Sequence, residues 1–286
     1  MEKLKRIAAV HDISGYGKCS LTVALPIISA SGVECSCIPT ALLSTHTGGF
    51  EGFTFKDLSD EMLPIAHHWK KEKIEFDGIY SGYLASAGQA KLLEQAIEII
   101  KSDVTQVIVD PVMADHGEYY SGFDDKMAKA FAQLSQKADI LTPNITEAAF
   151  MTGIPYEEGP HSEEYIDSLL KALSEICGGA IVLTGVKPTH DSIGATAIDN
   201  KTGEKFFSYS HLRQGVFHGT GDLFSSAFSA LFVRGAGLKN SIELAIMLVT
   251  DSIDRSLIRK TSGRDGVDFE GALPRYITEL SKLFKD

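Results

Sequence analysis

Along the chain, short runs of branched and aromatic residues alternate with stretches in which apolar side chains recur every three to four positions. That is the pattern of a mostly parallel sheet clad in helices. The runs at Ile7 to Val10, Val33 to Pro39, Gly78 to Ser81, Val107 to Asp110, Asp139 to Thr142 and Ala180 to Thr184 predict strands, several of them ending in a polar residue. Between them Leu58, Met62, Ile65 and Trp69 recur at helical spacing, as do Leu93, Ile97 and Ile100, and then Ile166, Leu169, Leu173 and Ile176. Each set reads as a core face rather than a binding surface. Past Thr184 the rhythm changes. Ile193 to Ile198, a turn at Asp199-Asn200-Lys201-Thr202-Gly203, and Lys205 to Tyr209 predict an antiparallel hairpin at one edge of the sheet. Two helices follow, Asp222 to Arg234 and Leu238 to about Arg259, with Gly235 and Gly237 as stop signals between them. No repeat, low-complexity tract or linker composition interrupts the 286 residues, so 1–286 is expected to form a single α/β domain.

Composition narrows the function. A hydrophobic share of 44% supports a sizeable core. The formal charge of -11 argues against a nucleic-acid or anionic-membrane partner, since both need a basic face. A negatively charged small substrate then needs local help, which glycine loops, helix ends and metal ions supply. There is no run of 18 apolar residues, and Met1-Glu2-Lys3-Leu4-Lys5-Arg6 leads into a strand rather than a signal peptide. A cytoplasmic protein is expected. The four cysteines, at 19, 35, 37 and 177, show no zinc spacing, and Cys35 and Cys37 read as one buried strand face. The nine histidines form no metal-binding pattern, and all but His46 read as structural.

The densest chemical signal is Gly219-Thr220-Gly221-Asp222, followed at once by the apolar run Leu223 to Phe232. Two glycines let the backbone turn tightly with its N–H groups bare, and the helix that starts there points its positive end at the same spot, so an anion is wanted. Asp222 is either the cap of that helix or a base held beside the anion. The first strand runs into His11-Asp12-Ile13-Ser14-Gly15-Tyr16-Gly17-Lys18-Cys19-Ser20, which is neither of two familiar nucleotide loops. A Walker loop needs glycine at position 12 and Ser or Thr at 19; a dinucleotide fingerprint wants Gly or Ala at 20. Three further strand ends carry polar sets: Asp110-Pro111-Val112 with Asp115, Thr142-Pro143-Asn144-Ile145-Thr146-Glu147, and Thr184-Gly185. Pro111 and Pro143 stop their strands, so these groups project into one crevice. Asn144 and Glu147 read either as a capping pair or as part of a cation site. Carboxylates converging on an anion-binding helix end suit Mg²⁺ and a polyphosphate. Together the pieces ask for phosphoryl transfer.

In this order and spacing, Gly219-Thr220-Gly221-Asp222, Asn144-Ile145-Thr146-Glu147 and Asp110-Pro111-Val112 resemble the ribokinase superfamily over essentially the whole chain. Ser44-Thr45-His46-Thr47-Gly48-Gly49, Ser81-Gly82-Tyr83 and Asp139-Ile140-Leu141-Thr142-Pro143-Asn144 narrow the resemblance to the pyridoxal (vitamin B6) kinases, and to their pyridoxamine kinase branch. The resemblance implies a three-layer α/β/α fold and an ATP-dependent kinase. Its substrate is the 5′-hydroxymethyl group of pyridoxal, pyridoxine or pyridoxamine, with Mg²⁺ and often a monovalent cation such as K⁺. Asp222 matches the catalytic base, and Gly219, Thr220 and Gly221 match the anion hole, with the Thr220 hydroxyl added to a phosphate. Glu147 and Asp110 match the metal's neighbours, with Tyr120 beside them; Thr142, Asn144 and Thr184 match the lining of the triphosphate. Thr47, Tyr83 and His46 match the surroundings of the pyridine ring. His211 to Phe217 would wall the adenine pocket, and Asp115 with the Gly117-to-Gly122 loop would close over the nucleotide. Family members are commonly homodimers. One departure stands out: Asp12 occupies the place of a serine that meets the ring nitrogen, and Ser14 is shifted by two. Asp12 is then either a ring contact or a cap of its own turn. The rival readings are a hydroxymethylpyrimidine kinase and, in another class, a non-catalytic B6- or nucleotide-binding protein.

Overall fold

The computed structural model describes residues 3–284. The first half of the chain lays down β1 (Arg6–Ser14), α1 (Leu21–Ala30), β2 (Glu34–Leu43), β3 (Phe55–Asp57) and α2 (Ser59–Lys71). It continues with β4 (Gly78–Ser81), α3 (Ala87–Ile100), β5 (Gln106–Val109), the small pair β6 (Ala114–Asp115) and β7 (Glu118–Tyr119), and α4 (Asp125–Ser135). Next come β8 (Ile140–Leu141), α5 (Ile145–Thr152), α6 (Glu163–Ile176) and β9 (Ala180–Thr189). The last elements are β10 (Ser192–Asp199), β11 (Lys205–His211), α7 (Thr220–Arg234), α8 (Gly237–Arg259) and α9 (Phe269–Leu283).

Nine strands form one sheet in the order β11-β10-β9-β8-β5-β4-β1-β2-β3. The neighbours from β9 to β2 are parallel, whereas β9-β10-β11 and β2-β3 pair antiparallel, so the expected mixed edge is present. Alternation along the strands sorts side chains into two cores. Ala8, Val10 and Ile79 face one side, packed with α2 to α6; Ile7, Ala9 and Tyr80 face the other, packed with α1, α7, α8 and α9. This is the three-layer α/β/α architecture, mostly parallel with an antiparallel hairpin at one edge. Among the described residues no helix is long and apolar enough to cross a membrane.

The chain goes from β1 outward to β2, then returns to place β4 on the other side of β1. Such a reversal opens a crevice at the carboxyl ends of β1 and β4, the place where open α/β sheets bind ligands. Two local features shape it. β1 runs four residues beyond Val10, and its register with β2 slips between His11 and Ile13, so two steps along β1 match three along β2. Irregularities of this kind re-aim side chains. α7, the second feature, is buried on nearly every face, which explains its unbroken apolar run.

Phe228 sits at the centre of that helix, fully buried and stacked between Phe224 and Phe232 at 6.0 and 5.9 Å. Phe228→Ala should cost about 3–5 kcal/mol by leaving a cavity where the surroundings cannot collapse. A urea unfolding midpoint unchanged from wild type would contradict this packing.

Candidate active site

Five helices are capped by a side chain: Ser86, Asp124, Asn144, Ser162 and Asp268 serve α3, α4, α5, α6 and α9. α7 is built differently. Its N-cap is Gly219, left-handed at φ 76°, with no side-chain cap. A side chain there is impossible for a second reason, because a Cβ would lie 2.0 Å from the Lys18 carbonyl oxygen. Among the described residues the N–H groups of Gly219, Thr220, Gly221 and Asp222 have no hydrogen-bond acceptor. Open space surrounds Gly221, where an added Cβ would meet nothing within 4 Å. Four bare amides therefore converge at a helix start, the arrangement that binds phosphate.

Asp222 does not cap its own helix. Its Oδ1 lies 3.0 Å from Nε2 of His11, and its Oδ2 accepts the backbone N–H of Ser20 at 2.9 Å. Ser20 is the residue before α1, so the carboxylate also faces the positive end of that helix. Ser20 reaches this position at φ 60°, a strained conformation for serine. Burial raises the carboxyl pKa, but His11, Ser20 and the more distant His46 outweigh it, so Asp222 ends below the usual carboxylate range. It is ionised at neutral pH. The bare amides and the carboxylate thus share one helix turn without neutralising each other.

Across the crevice stand the other carboxylates. Asp110 is buried at the end of β5; burial and the Asp222 charge push it up to about 7, while Ser225 and His11 pull it down. Glu147 is raised by burial and then by Asp110. Glu147 and Asn144 form a full capping box: Asn144 Oδ1 accepts the Glu147 N–H at 2.9 Å, and Glu147 Oε2 accepts the Asn144 N–H at 2.8 Å. Glu147 Oε1 accepts the Met113 N–H at 3.1 Å, and Asn144 Nδ2 donates to the Ala114 carbonyl at 2.8 Å. Capping and the acidic cluster are thus compatible, since a carboxylate has about four lone-pair sites and only two are used. Tyr120 is partly exposed, and burial together with Glu147, Asp115, Asp222 and Asp110 raises its phenol, which places the hydroxyl amid these charges. The Thr142 and Thr184 hydroxyls donate to the carbonyls of Val109 and Pro143, at 3.4 and 3.3 Å. The Gly117-to-Gly122 loop carries β7, which pairs with β6 just before it, and is tied to α5 by the Gly117 N–H bond to Thr146 Oγ1 at 3.0 Å. At the end of β11, Arg213 makes a two-pronged pair with Asp254 at 2.8 and 2.7 Å.

Around the remaining rim the polar atoms are largely committed. His46 accepts the Gly48 N–H on Nδ1 at 3.1 Å and bonds the Arg264 carbonyl through Nε2 at 2.7 Å, so it ties two loops together. Asp12 is 3% exposed; its Oδ2 accepts the Ser14 hydroxyl at 2.9 Å and its Oδ1 lies 3.2 Å from His11 Nδ1. Thr47 is exposed, and Tyr83 is half-buried with its ring 5.5 Å from Phe123. Sequence reasoning passes over His11, Ser20 and Ser225. A usable signal existed for His11: extending the alternation of Ile7 and Ala9 by one step puts it on the face that meets α7.

A family model described as phosphomethylpyrimidine kinase matches residues 24–265, which include the glycine motif and all of the strand-end carboxylates but Asp12. The chain belongs to that family. Pyridoxal kinase from Lactobacillus plantarum superposes with a TM-score of 0.88 at 30% identity, covering 98% of this chain and 99% of that one. A Bacteroides thetaiotaomicron protein crystallised with pyridoxal superposes at 0.90 and 32% identity, covering 98% and 96%. The pyridoxine/pyridoxal/pyridoxamine kinase of Bordetella avium is 30% identical over 258 residues, 83% of this chain and 80% of the relative. The chain is pyridoxal-kinase-like, a kinase of the pyridoxal and hydroxymethylpyrimidine kinase family.

For such a kinase, the raised Asp110 has a stability consequence. A carboxyl whose folded pKa of about 7 exceeds its unfolded value stabilises fully below the unfolded value. That contribution is lost as the pH climbs through 7. Asp110→Asn should therefore be more stable than wild type by about 1–3 kcal/mol near pH 8, with the gain gone near pH 4. Denaturation at the two pH values checks this, and a variant less stable than wild type at the higher pH would contradict it.

Proposed function

We propose that this chain transfers the terminal phosphoryl group of ATP to the 5′-hydroxymethyl group of pyridoxal, pyridoxine or pyridoxamine. The observation that carries the proposal is the position of Asp222: ionised, turned away from its own helix, and in the same turn as the four bare amides. A primary alcohol is a weak nucleophile. A carboxylate in hydrogen-bond reach orients it and accepts its proton late in transfer, a contribution of roughly 10²–10⁴-fold. The amides of Gly219, Thr220 and Gly221 take the charge that spreads over the phosphoryl oxygens. Thr142, Asn144 and Thr184 line the path of the triphosphate, and Thr47 and Tyr83, with His46, Asp12 and Ser14 behind them, form the vitamin side.

The donor set also fits Mg²⁺. Asp110 and Glu147 are hard oxygen donors; the Asp110 charge helps raise Glu147, and the Asp222 charge helps raise Asp110, repulsions that a divalent cation relieves. Mg²⁺ is an ion which takes one or two carboxylates and completes its shell with phosphate oxygens and water. Asp110, Glu147 and Tyr120 would hold it, and when bound it would neutralise charge on the phosphates. The pyridoxal-bound relative and the two pyridoxal kinases support the vitamin as substrate. A second reading, hydroxymethylpyrimidine phosphorylation, is favoured by the description of the matched family.

A panel of the three vitamers and hydroxymethylpyrimidine, each with ATP and Mg²⁺, separates the two readings by kcat/KM. The vitamers are expected to be preferred, and a preference for the pyrimidine would transfer the assignment. In the same assay Asp222→Asn should lose roughly 10²–10⁴-fold in kcat with little change in KM. Turnover retained in that variant would remove Asp222 from the role of base.

A further inference from the structure

His11 is completely buried yet highly connected. Its ring lies between Asp12 and Asp222, with Nδ1 3.2 Å from Asp12 Oδ1 and Nε2 3.0 Å from Asp222 Oδ1. The backbone N–H groups of Asp12 and Tyr83 approach Nδ1 at 3.2 and 3.1 Å. Asp12 is in turn steadied by the Ser14 hydroxyl. The fourth side is closed by Gly82, where a Cβ would stand 1.9 Å from Nε2, so glycine is what admits the ring.

Two protonation states compete, and both lead to the same contact. If Nδ1 accepts the two amides, the ring is neutral and its single proton is on Nε2. If Nδ1 donates to Asp12, the ring is cationic and Nε2 still carries a proton. Burial lowers the imidazole pKa, but Asp12 and Asp222 outweigh it and push it up to about 10, whereas the two amides oppose a proton on Nδ1. The remaining tautomer would turn an Nε2 lone pair toward an ionised carboxylate, which is repulsive. Nε2 therefore donates to Asp222 whichever state prevails.

We propose that His11 is a positioning residue for phosphoryl transfer: through its Nε2–H it fixes the rotation of the Asp222 carboxylate, while the contacts at Nδ1 and the close fit against Gly82 hold the ring in place. The proposal rests on the kinase reading above. The Ser20 N–H holds only one Asp222 oxygen, so without His11 the carboxylate swings about that bond. Misplacing a catalytic group by about 1 Å costs on the order of 100-fold in rate. Asp12, buried with its Oδ2 on the Ser14 hydroxyl and its Oδ1 facing His11, then stands behind the site rather than as a contact to the pyridine ring.

His11→Leu and His11→Gln test the idea, with whichever alcohol the wild type phosphorylates. Leucine removes the donor; glutamine restores an amide N–H at about the reach of Nε2. His11→Leu is expected to lower kcat about 10–100-fold with KM for both substrates within about two-fold, and His11→Gln to recover most of the loss. Unchanged kcat in a folded His11→Leu, a loss carried wholly by KM, or a folded glutamine variant no better than leucine would overturn the proposal. If the variants fail to fold, nitrogen-15 spectra of the wild-type histidines decide: Nε2 of His11 should be protonated from about pH 5 to 9, and a bare Nε2 would overturn it. A wild type inert toward every alcohol would remove the kinase reading instead, and the spectra would still report the hydrogen bond.

Discussion

The hydrogen bonds that hold Asp222 are the constraint on which the rest of the site depends. They join three elements distant in sequence: His11 from β1, Ser20 from the start of α1 and Asp222 from the first turn of α7. A carboxylate this buried would ordinarily take up a proton; two N–H donors and the positive end of α1 keep it ionised instead. Because those donors come from outside α7, the amides of its first turn stay free. A side-chain cap, the ordinary way to finish a helix, would consume one of them.

Electrostatics explain why so acidic a chain can serve an anionic substrate. Asp110 raises Glu147 and Asp222 raises Asp110, and such repulsion among buried carboxylates is the property a cation site needs. The bare amides supply positive potential without adding a side-chain charge. Stability is given up locally, in strained Ser20 and raised Asp110, and recovered in the two apolar cores that clamp the sheet.

Much of this was legible in the sequence where the period was long and regular. The strands at 78–81 and 205–209, the edge hairpin and the two helices after the glycine motif stand within a few residues of their expected bounds. α1, α4 and α9 do not emerge from the pattern; Pro26 and Pro274 sit inside the first and last of these, where a sequence rule expects a break. Glu147 illustrates a different difficulty. Its spacing from Asn144 suits a cap and an acidic site equally, and the structure makes it both a cap and a neighbour of Asp110. The pairing of His11 with Asp222 spans 211 residues, and no local spacing encodes it. His46 carried the more suggestive motif, yet its ring nitrogens bond the backbone.

The most direct test is a crystal structure with a non-hydrolysable ATP analogue and pyridoxal bound together. The terminal phosphate is expected against the amides of Gly219 to Gly221, and the vitamin's 5′-oxygen about 3 Å from a carboxylate oxygen of Asp222. A phosphate seated away from the start of α7, or an alcohol out of reach of Asp222, would contradict this arrangement.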